Sequence, residues 1–349
     1  MALRETSECF LNFILEEIRL LLYDESHENA QGRGLPVCGR RINMKSDQNL
    51  LERLRLAAGS GEVVTEEPMS RHTTFRIGGP ADYFVTPHTK EEIRQVIRLC
   101  KEEEIPFAVL GNGSNLLVGD KGFRGVIIQL FKNFSDITIE EETIYAQSGA
   151  LLVRLANQAA EQGLTGLEFA SGIPGTLGGA VVMNAGAYGG EMKDVILWSD
   201  VLTEDGEFLR FSGEELELGY RTSVIQKKQY FVLGAALRLK KGDQNEIRSV
   251  MEELKEKRVS KQPVEYPSAG STFKRPEGYF AGKLIMDAGL RGFSVGGAQV
   301  SEKHCGFVIN KGGATAEEVQ LLMKEVADRV EEKFGVRLEP EVKMLGEFK

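Results

Sequence analysis

Between Gly166 and Gly190 the chain reads GLEFASGIPGTLGGAVVMNAGAYGG, with glycine at 166, 172, 175, 178, 179, 186, 189 and 190. Few folds use glycine so densely, because each one either adopts a backbone conformation closed to other residues or lets another group come against the main chain. A flexible linker would be polar and serine-rich. Here Ile173, Leu177, Val181, Val182 and Met183 interrupt the glycines, so the segment is expected to be buried and tightly turned. A shorter loop of the same kind, Gly111-Asn112-Gly113-Ser114-Asn115, follows the apolar run Phe107 to Leu110. Taken singly, either glycine pair reads as an ordinary tight turn. Together they point to one extended ligand gripped twice, since successive N–H groups of such turns form anion-binding concavities. Neither loop is GxGxxG after a strand or GxxxxGK[ST], which argues against a plain Rossmann or P-loop site. A bulky residue at Gly113 or Gly178 is expected to empty the site by blocking the ligand's approach.

A chain of 349 residues allows two or three domains. Lys and Arg number 43 against 52 Asp and Glu, a net charge of −9, which argues against broad affinity for nucleic acid or anionic membranes. Anionic ligands must then be met locally. Cys9, Cys38, Cys100 and Cys305 form no CxxC pair, which fits reduced thiols and a cytoplasmic location. No His, Cys and Asp cluster has metal-ligand spacing, and no GxSxG or Cys/His set suggests hydrolysis. The apolar patch Cys9 to Tyr23 is interrupted by Asn12, Glu16, Glu17 and Arg19, so it is too short and too charged for a membrane span. It also lacks a signal-peptide n-region, and Asp24 to Lys45 reads as unstructured.

Periodicity places the other elements. Leu50, Leu51, Leu54 and Ala58 share a helical face that Gly59 ends. Tyr83 to Val85 is strand-like, and Thr89 with Glu92 forms a capping box before a helix that turns Ile93, Val96, Ile97 and Cys100 inward. Pro106 then closes the crossover to strand Phe107 to Leu110, so loop 111–115 sits at a strand's carboxyl end, where open α/β sheets place ligands. Val126 to Leu130 and Ile137 to Ala146 read as strands, and Leu151 to Gln162 as a helix stopped by Gly163. Val195 to Leu202 and Glu207 to Phe211 form a hairpin about Asp205-Gly206, followed by strand Tyr230 to Leu239. Asp243 and Glu246 open a helix with Ile247, Val250, Met251 and Leu254 on one face; Gln262-Pro263 marks a boundary. A last helix, capped by Thr315 and Glu318, faces Val319, Leu322, Met323, Val326 and Val330 inward, and the strand-like tail Val336 to Leu345 returns to the first domain.

FRIGGPADYF (75–84), LGNGSNLLV (110–118), GLEFASGIPGTLGGAVVMNAGAYGGE (166–191), GYRTS (219–223), GSTFKRP (270–276), GGAQVSEKHCGFVIN (296–310) and LEPEVKMLG (338–346) resemble, in order, the motif set of the UDP-N-acetylenolpyruvoylglucosamine reductases, flavoenzymes of peptidoglycan precursor synthesis. The resemblance covers residues 46 to 349 and none of 1–45. It implies an α+β protein with a vanillyl-alcohol-oxidase/PCMH-type FAD-binding fold in two α/β subdomains, plus a C-terminal α+β substrate domain. The first subdomain would be 46–131 with return segment 334–349, the second 132–262 and the substrate-binding domain 263–333, leaving 1–45 as a poorly ordered extension. FAD is implied as a non-covalent cofactor, NADPH as co-substrate and a UDP-sugar as substrate, with no nucleic-acid, membrane or obligate protein partner. His72 lies near where some flavoproteins of the wider fold attach FAD covalently, but the reductases it resembles do not. FAD contacts fall by resemblance to Arg76, Gly111, Asn112, Gly113, Ser114, Asn115, Gly172, Gly175, Thr176, Gly178, Gly179, Asn184 and Gly186.

The same resemblance makes Arg221, Ser271 and Glu341 the catalytic set. In that family NADPH reduces FAD, and the reduced flavin delivers hydride to C3 of the enolpyruvyl ether. Negative charge then develops on the carboxylate, which the fixed guanidinium of Arg221 can grip. C2 must next be protonated on one face, and Ser271, held by the turn Ala269-Gly270, can donate to so basic a carbanion. Glu341 either orients Arg221 or, kept protonated by burial, hydrogen-bonds the carboxylate; Glu339, on the same face of a strand, is the competing carboxylate. Tyr188, Arg258, Lys261, Arg275 and His304 are the substrate-side candidates, supplying donors and cations for pyrophosphate and carboxylate. Arg258 and Lys261 equally suit a helix C-terminus. Arg275 and His304 stand where one branch of the family has Asn and Gln, and the short stretch from Pro276 to Ala281 resembles the branch lacking an extra substrate-covering insertion. Two rival functions share these features: an oxidase using O₂ on the same FAD fold, and a non-catalytic nucleotide-sugar-binding protein.

Overall fold

The computed structural model describes residues 48–348, and the expectations for 1–45 lie outside them. The chain opens with α1 (Gln48–Ala58), β1 (Glu62–Pro68), β2 (Pro80–Thr86), α2 (Lys90–Glu102), β3 (Phe107–Leu110), β4 (Leu116–Val118) and β5 (Phe123–Gln129). Four of these strands form one sheet in the order β1-β2-β5-β3. The capping box before α2 is formed in both directions, from Thr89 to the Glu92 N–H and from the Glu92 carboxylate to the Thr89 N–H. Ile93, Val96, Ile97 and Cys100 are fully buried against Tyr83, Val85, Phe107 and Val126. Because β3 runs parallel to β5, its carboxyl end releases loop 111–115 at the sheet's edge.

The next section holds β6 (Ile137–Glu140), β7 (Thr143–Gln147), α3 (Leu152–Glu161), α4 (Leu177–Met183), β8 (Ile196–Leu202), β9 (Phe208–Ser212), α5 (Val224–Lys228), β10 (Phe231–Arg238) and α6 (Gln244–Lys261). Five of its strands pair antiparallel in the order β9-β8-β10-β7-β6. The run from Ile137 to Ala146, expected as one strand, is a hairpin. Glu141 takes a left-handed φ of +53° and turns the chain between β6 and β7. The glycine segment, expected as a turned loop, contains α4, whose Leu177 and Val181 are fully buried among Ile144, Leu155 and Leu237. Asp243 caps α6 through the N–H groups of Asn245 and Glu246, but only Ile247 of the expected apolar face is buried, and Val250 is 42% exposed. Charged side chains surround most of this helix, so it lies on the surface.

Last come α7 (Ala281–Asp287), β11 (Ser294–Val295), β12 (Ala298–Val300), β13 (Val308–Asn310), α8 (Ala316–Phe334) and β14 (Lys343–Leu345). All five inward residues expected of α8 are buried, and its N-terminus takes a second cap from the first section. The two Asp120 carboxylate oxygens accept from Ala316 N–H (2.8 Å) and Glu317 N–H (3.0 Å). The tail does return, as β14 parallel to β4, but only Lys343 to Leu345 is strand. Upstream, Pro340 has no N–H for a ladder and makes a single bridge to Phe273.

Candidate active site

Both glycine loops line one cavity of about 1110 Å³, slightly larger than the usual range for small-molecule sites. Arg76, all of Gly111 to Asn115, Gly172, Gly175, Thr176, Gly178, Gly179 and Gly186 lie in its wall. Asn184 does not. Its amide is consumed inside the protein, donating to Glu191 (2.8 Å) and to the Gly219 carbonyl (3.2 Å) and accepting from Lys193 N–H (3.0 Å), so it shapes the loop rather than meeting a ligand.

The glycines divide by what a side chain would strike. At Gly113 a Cβ would lie 2.1 Å from the His72 carbonyl oxygen, and at Gly178 2.8 Å from the Ser148 Cβ. Both are therefore required by the protein's own packing, which corrects the expectation that a side chain there would block only the ligand. Gly175 and Gly179 are different, with nearest neighbours 3.5 and 3.8 Å away, and these two keep the wall open.

The cavity suits a dinucleotide such as FAD. Among the described residues, the N–H groups of Asn112, Gly113 and Ser114 make no hydrogen bond to the protein, so three donors of a loop that lines the cavity are left for a ligand or water. Ser148 Oγ is buried in the same wall with no partner, an arrangement proteins avoid unless a ligand or water completes it. Sequence reading missed Ser148; its only signal was its place before Gly149 at the end of a strand. His72 is turned away, its Nε2 bonded to Glu67 (2.9 Å) and its ring 4.1 Å from that of Phe84. It is absent from this wall.

Arg221, Ser271 and Glu341 all line the cavity. Gly219 and Thr222 exchange two backbone hydrogen bonds of 3.1 and 3.3 Å, leaving Tyr220 and Arg221 at the tip of a turn. Arg221 takes a left-handed φ of +56°, a conformation uncommon for non-glycine residues, though this chain also adopts it in ordinary turns such as that at Glu141. Arg76 and Tyr188, also in the wall, share it at +55° and +53°. Arg221 Nε donates to Glu341 Oε1 at 2.6 Å across 120 residues of sequence. Glu341 is held at every point: its N–H donates to the Thr272 carbonyl (2.8 Å), its own carbonyl accepts from Asn115 Nδ2 (3.2 Å), and its carboxylate meets Arg221. Burial raises the Glu341 pKa above its ordinary value, with Arg221 pulling the other way. Glu339 is separated from it in space, exposed and paired with Lys274 at 2.9 Å.

On the substrate side, Tyr188, Arg258, Lys261 and His304 share the cavity wall. Arg258 lies along the glycine loop, close enough that a Cβ at Gly172 would sit 2.7 Å from its Nε. Burial lowers its pKa, opposed by the Tyr188 hydroxyl. His304 Nδ1 accepts from Gly306 N–H at 3.1 Å, which places the proton of the neutral ring on Nε2, and burial lowers its pKa as well. Arg275 is not brought here. It is exposed, its Nε on the Tyr279 carbonyl (3.2 Å) and its guanidinium 3.9 Å from the Phe280 ring centre. The stretch Pro263 to Ser268 and the side chains Gln226 and Lys343 line the cavity too, none of them singled out in the sequence as a site residue.

Residues 262–345 match the family model for the UDP-N-acetylenolpyruvoylglucosamine reductase C-terminal domain, and residues 81–212 match the FAD binding domain. The chain is 58% identical over 298 residues to the UDP-N-acetylenolpyruvoylglucosamine reductase of Agathobacter rectalis, covering 82% of this chain and 95% of that protein. To the protein of the same name from Clostridioides difficile it is 52% identical over 286 residues, covering 82% and 94%. Among solved structures it is similar to UDP-N-acetylenolpyruvylglucosamine reductase from Thermus caldophilus, with a TM-score of 0.69 and 38% identity over 82% of this chain and 98% of that one.

Proposed function

This chain belongs to the UDP-N-acetylenolpyruvoylglucosamine reductase family, and from that premise we propose that one cavity carries the reduction of UDP-N-acetylglucosamine enolpyruvate to UDP-N-acetylmuramate, with Arg221, Ser271 and Glu341 acting in the substrate half-reaction. The protein is an FAD-dependent oxidoreductase of peptidoglycan precursor synthesis, with NADPH as reductant. Its fold is the PCMH-type FAD-binding fold followed by an α+β C-terminal domain. We assign 46–131 with 334–349 and 132–262 to the two FAD-holding parts, and 263–333 to the substrate-binding part. We further infer small-molecule partners and, from the cysteine pattern, a cytoplasmic location. Separately, no described helix is long and apolar enough to cross a membrane.

Bound in this cavity, FAD would supply hydride transfer from NADPH to C3 of the enolpyruvyl ether. Gly111 to Ser114 and the segment around Gly175 and Gly179 would hold the cofactor by backbone, and the unpartnered Ser148 Oγ would be free to hydrogen-bond it. Arg221 neutralises the charge that develops on the substrate carboxylate. Ser271 Oγ gives its proton to C2, and Ser271 regains one from solvent through the open side of its exposed turn. Glu341 fixes the direction of the Arg221 guanidinium through the 2.6 Å ion pair, the observation that carries this assignment. Tyr188, Arg258, Lys261 and His304 receive the UDP-sugar's anionic groups.

The test separates the two halves. Ser271→Ala removes one hydroxyl from an exposed turn, so FAD content and NADPH-driven flavin bleaching are expected to stay near wild type. Substrate-driven reoxidation of the reduced enzyme should slow by roughly 10²–10⁴, with substrate affinity little changed. Stopped-flow flavin absorbance reads both steps. Loss of the NADPH step, or untouched reoxidation, would remove Ser271 as proton donor.

A further inference from the structure

Arg221 reaches Glu341 from a left-handed backbone position, and the two turn hydrogen bonds around it belong to Gly219 and Thr222, not to Arg221. Its carbonyl is instead engaged by a side chain. Gln226, on the first turn of α5, sets its side-chain amide between two groups that fix which end is which: one amide position lies 3.3 Å from the Arg221 carbonyl oxygen and the other 2.9 Å from Lys343 Nζ, so the orientation in which donor meets acceptor has Nε2–H donating to the carbonyl and Oε1 accepting from the ammonium. Gln226 is fixed in turn, its N–H bonded to the helix-capping Ser223 Oγ at 3.3 Å. Lys343 belongs to β14, two residues beyond Glu341, and its N–H donates to the Asn115 carbonyl at 3.0 Å. Gln226, Lys343, Arg221 and Glu341 all line the same cavity.

We propose that Gln226 is a positioning residue for the reaction: by bonding the Arg221 carbonyl and the Lys343 ammonium at once, it locks the strained Arg221 turn onto the strand that carries Glu341. The inference rests on the functional reading above. Amide chemistry explains the residue type, because one side chain must donate to a carbonyl and accept from an ammonium together; ionised glutamate has no donor and lysine no acceptor. Without the clamp, the turn would lose one of its ties to the strand that carries Glu341. The turn could then relax out of its left-handed conformation and carry the guanidinium off the substrate carboxylate.

The experiment uses holoenzyme and measures each half-reaction by stopped-flow flavin absorbance, with wild type alongside. Gln226→Ala should keep its FAD and its rate of reduction by NADPH, while reoxidation by UDP-N-acetylglucosamine enolpyruvate slows about tenfold, the rate equivalent of one ordinary hydrogen bond. The loss should appear in kcat with KM little changed. Gln226→Glu keeps the acceptor for Lys343 and loses the donor to Arg221, so it should be as slow as Gln226→Ala; wild-type speed in this variant would overturn the route through Arg221. Unchanged reoxidation in Gln226→Ala, or equal slowing of both half-reactions with loss of flavin, would overturn the positioning role, the second outcome marking Gln226 as merely structural. Should Gln226→Ala fail to fold, Gln226→Glu alone decides, by the same split. Failure of wild type itself to be reoxidised by substrate would strike the functional reading instead.

Discussion

At the scale of single residues, Glu341 concentrates the chemistry. Burial raises its pKa above 4.5, so the folded protein retains a proton that the unfolded chain gives up at lower pH. The stability this contributes is complete below the unfolded value and is lost as pH rises through the folded one. Glu341→Gln is neutral at every pH and removes that slope. Melting temperature followed between about pH 4 and pH 8 should therefore decline less with rising pH in the variant than in wild type. Parallel profiles would mean that Arg221 fully offsets the burial and the Glu341 pKa is not raised. The family resemblance favoured Glu341, but strand alternation kept Glu339 as its competitor, because residues two apart share a face in a strand. No strand exists there; Pro340 breaks the ladder, and Glu339 goes to solvent while Glu341 goes under Arg221. Arg275 failed for a related reason, since its motif fixed the position of the turn and not the direction in which an exposed side chain leaves it.

At the scale of elements, α4 is the case where local and tertiary signals oppose each other. Gly178 and Gly179 lower helix propensity by about 1 kcal/mol each relative to alanine, so the sequence reads as loop, yet burial of Leu177 and Val181 in the second core holds the turns together. The two glycines then serve different ends. Gly179→Leu places a side chain into open cavity, so flavin content should fall sharply while the apoprotein's melting temperature stays within a few degrees of wild type; absorbance per mole of protein and thermal melting report the two effects. Full flavin occupancy would show that this wall does not touch the cofactor. Elements bounded by reciprocal caps were legible to the residue, as at Thr89 with Glu92 and Thr315 with Glu318, because those hydrogen bonds are local. The turn at Glu141 was not legible, since a left-handed glutamate carries no sequence mark. The exposed face of α6 escaped notice because an apolar period says nothing about what lies opposite it.

At the scale of the whole molecule, the site is made where three parts of the chain converge: the glycine loops, the turn bearing Arg221, and the tail that returns as β14 beside β4. Which family the chain joins was readable from ordered motifs, but the 120-residue span that joins Arg221 to Glu341 and the clamp of Gln226 on Lys343 depend on long-range folding that no local pattern encodes. The account's central claim is that this one cavity passes hydride from NADPH through FAD to an enolpyruvyl UDP-sugar. Anaerobic absorbance of the purified wild-type protein tests it most directly. The expected result is a yellow protein whose flavin is released intact on denaturation, bleaches with NADPH, stays bleached in the absence of oxygen, and regains its colour on adding UDP-N-acetylglucosamine enolpyruvate, with one UDP-N-acetylmuramate formed per flavin reoxidised. A colourless protein that binds the UDP-sugar, or a reduced flavin that only air and not the sugar reoxidises, would contradict it.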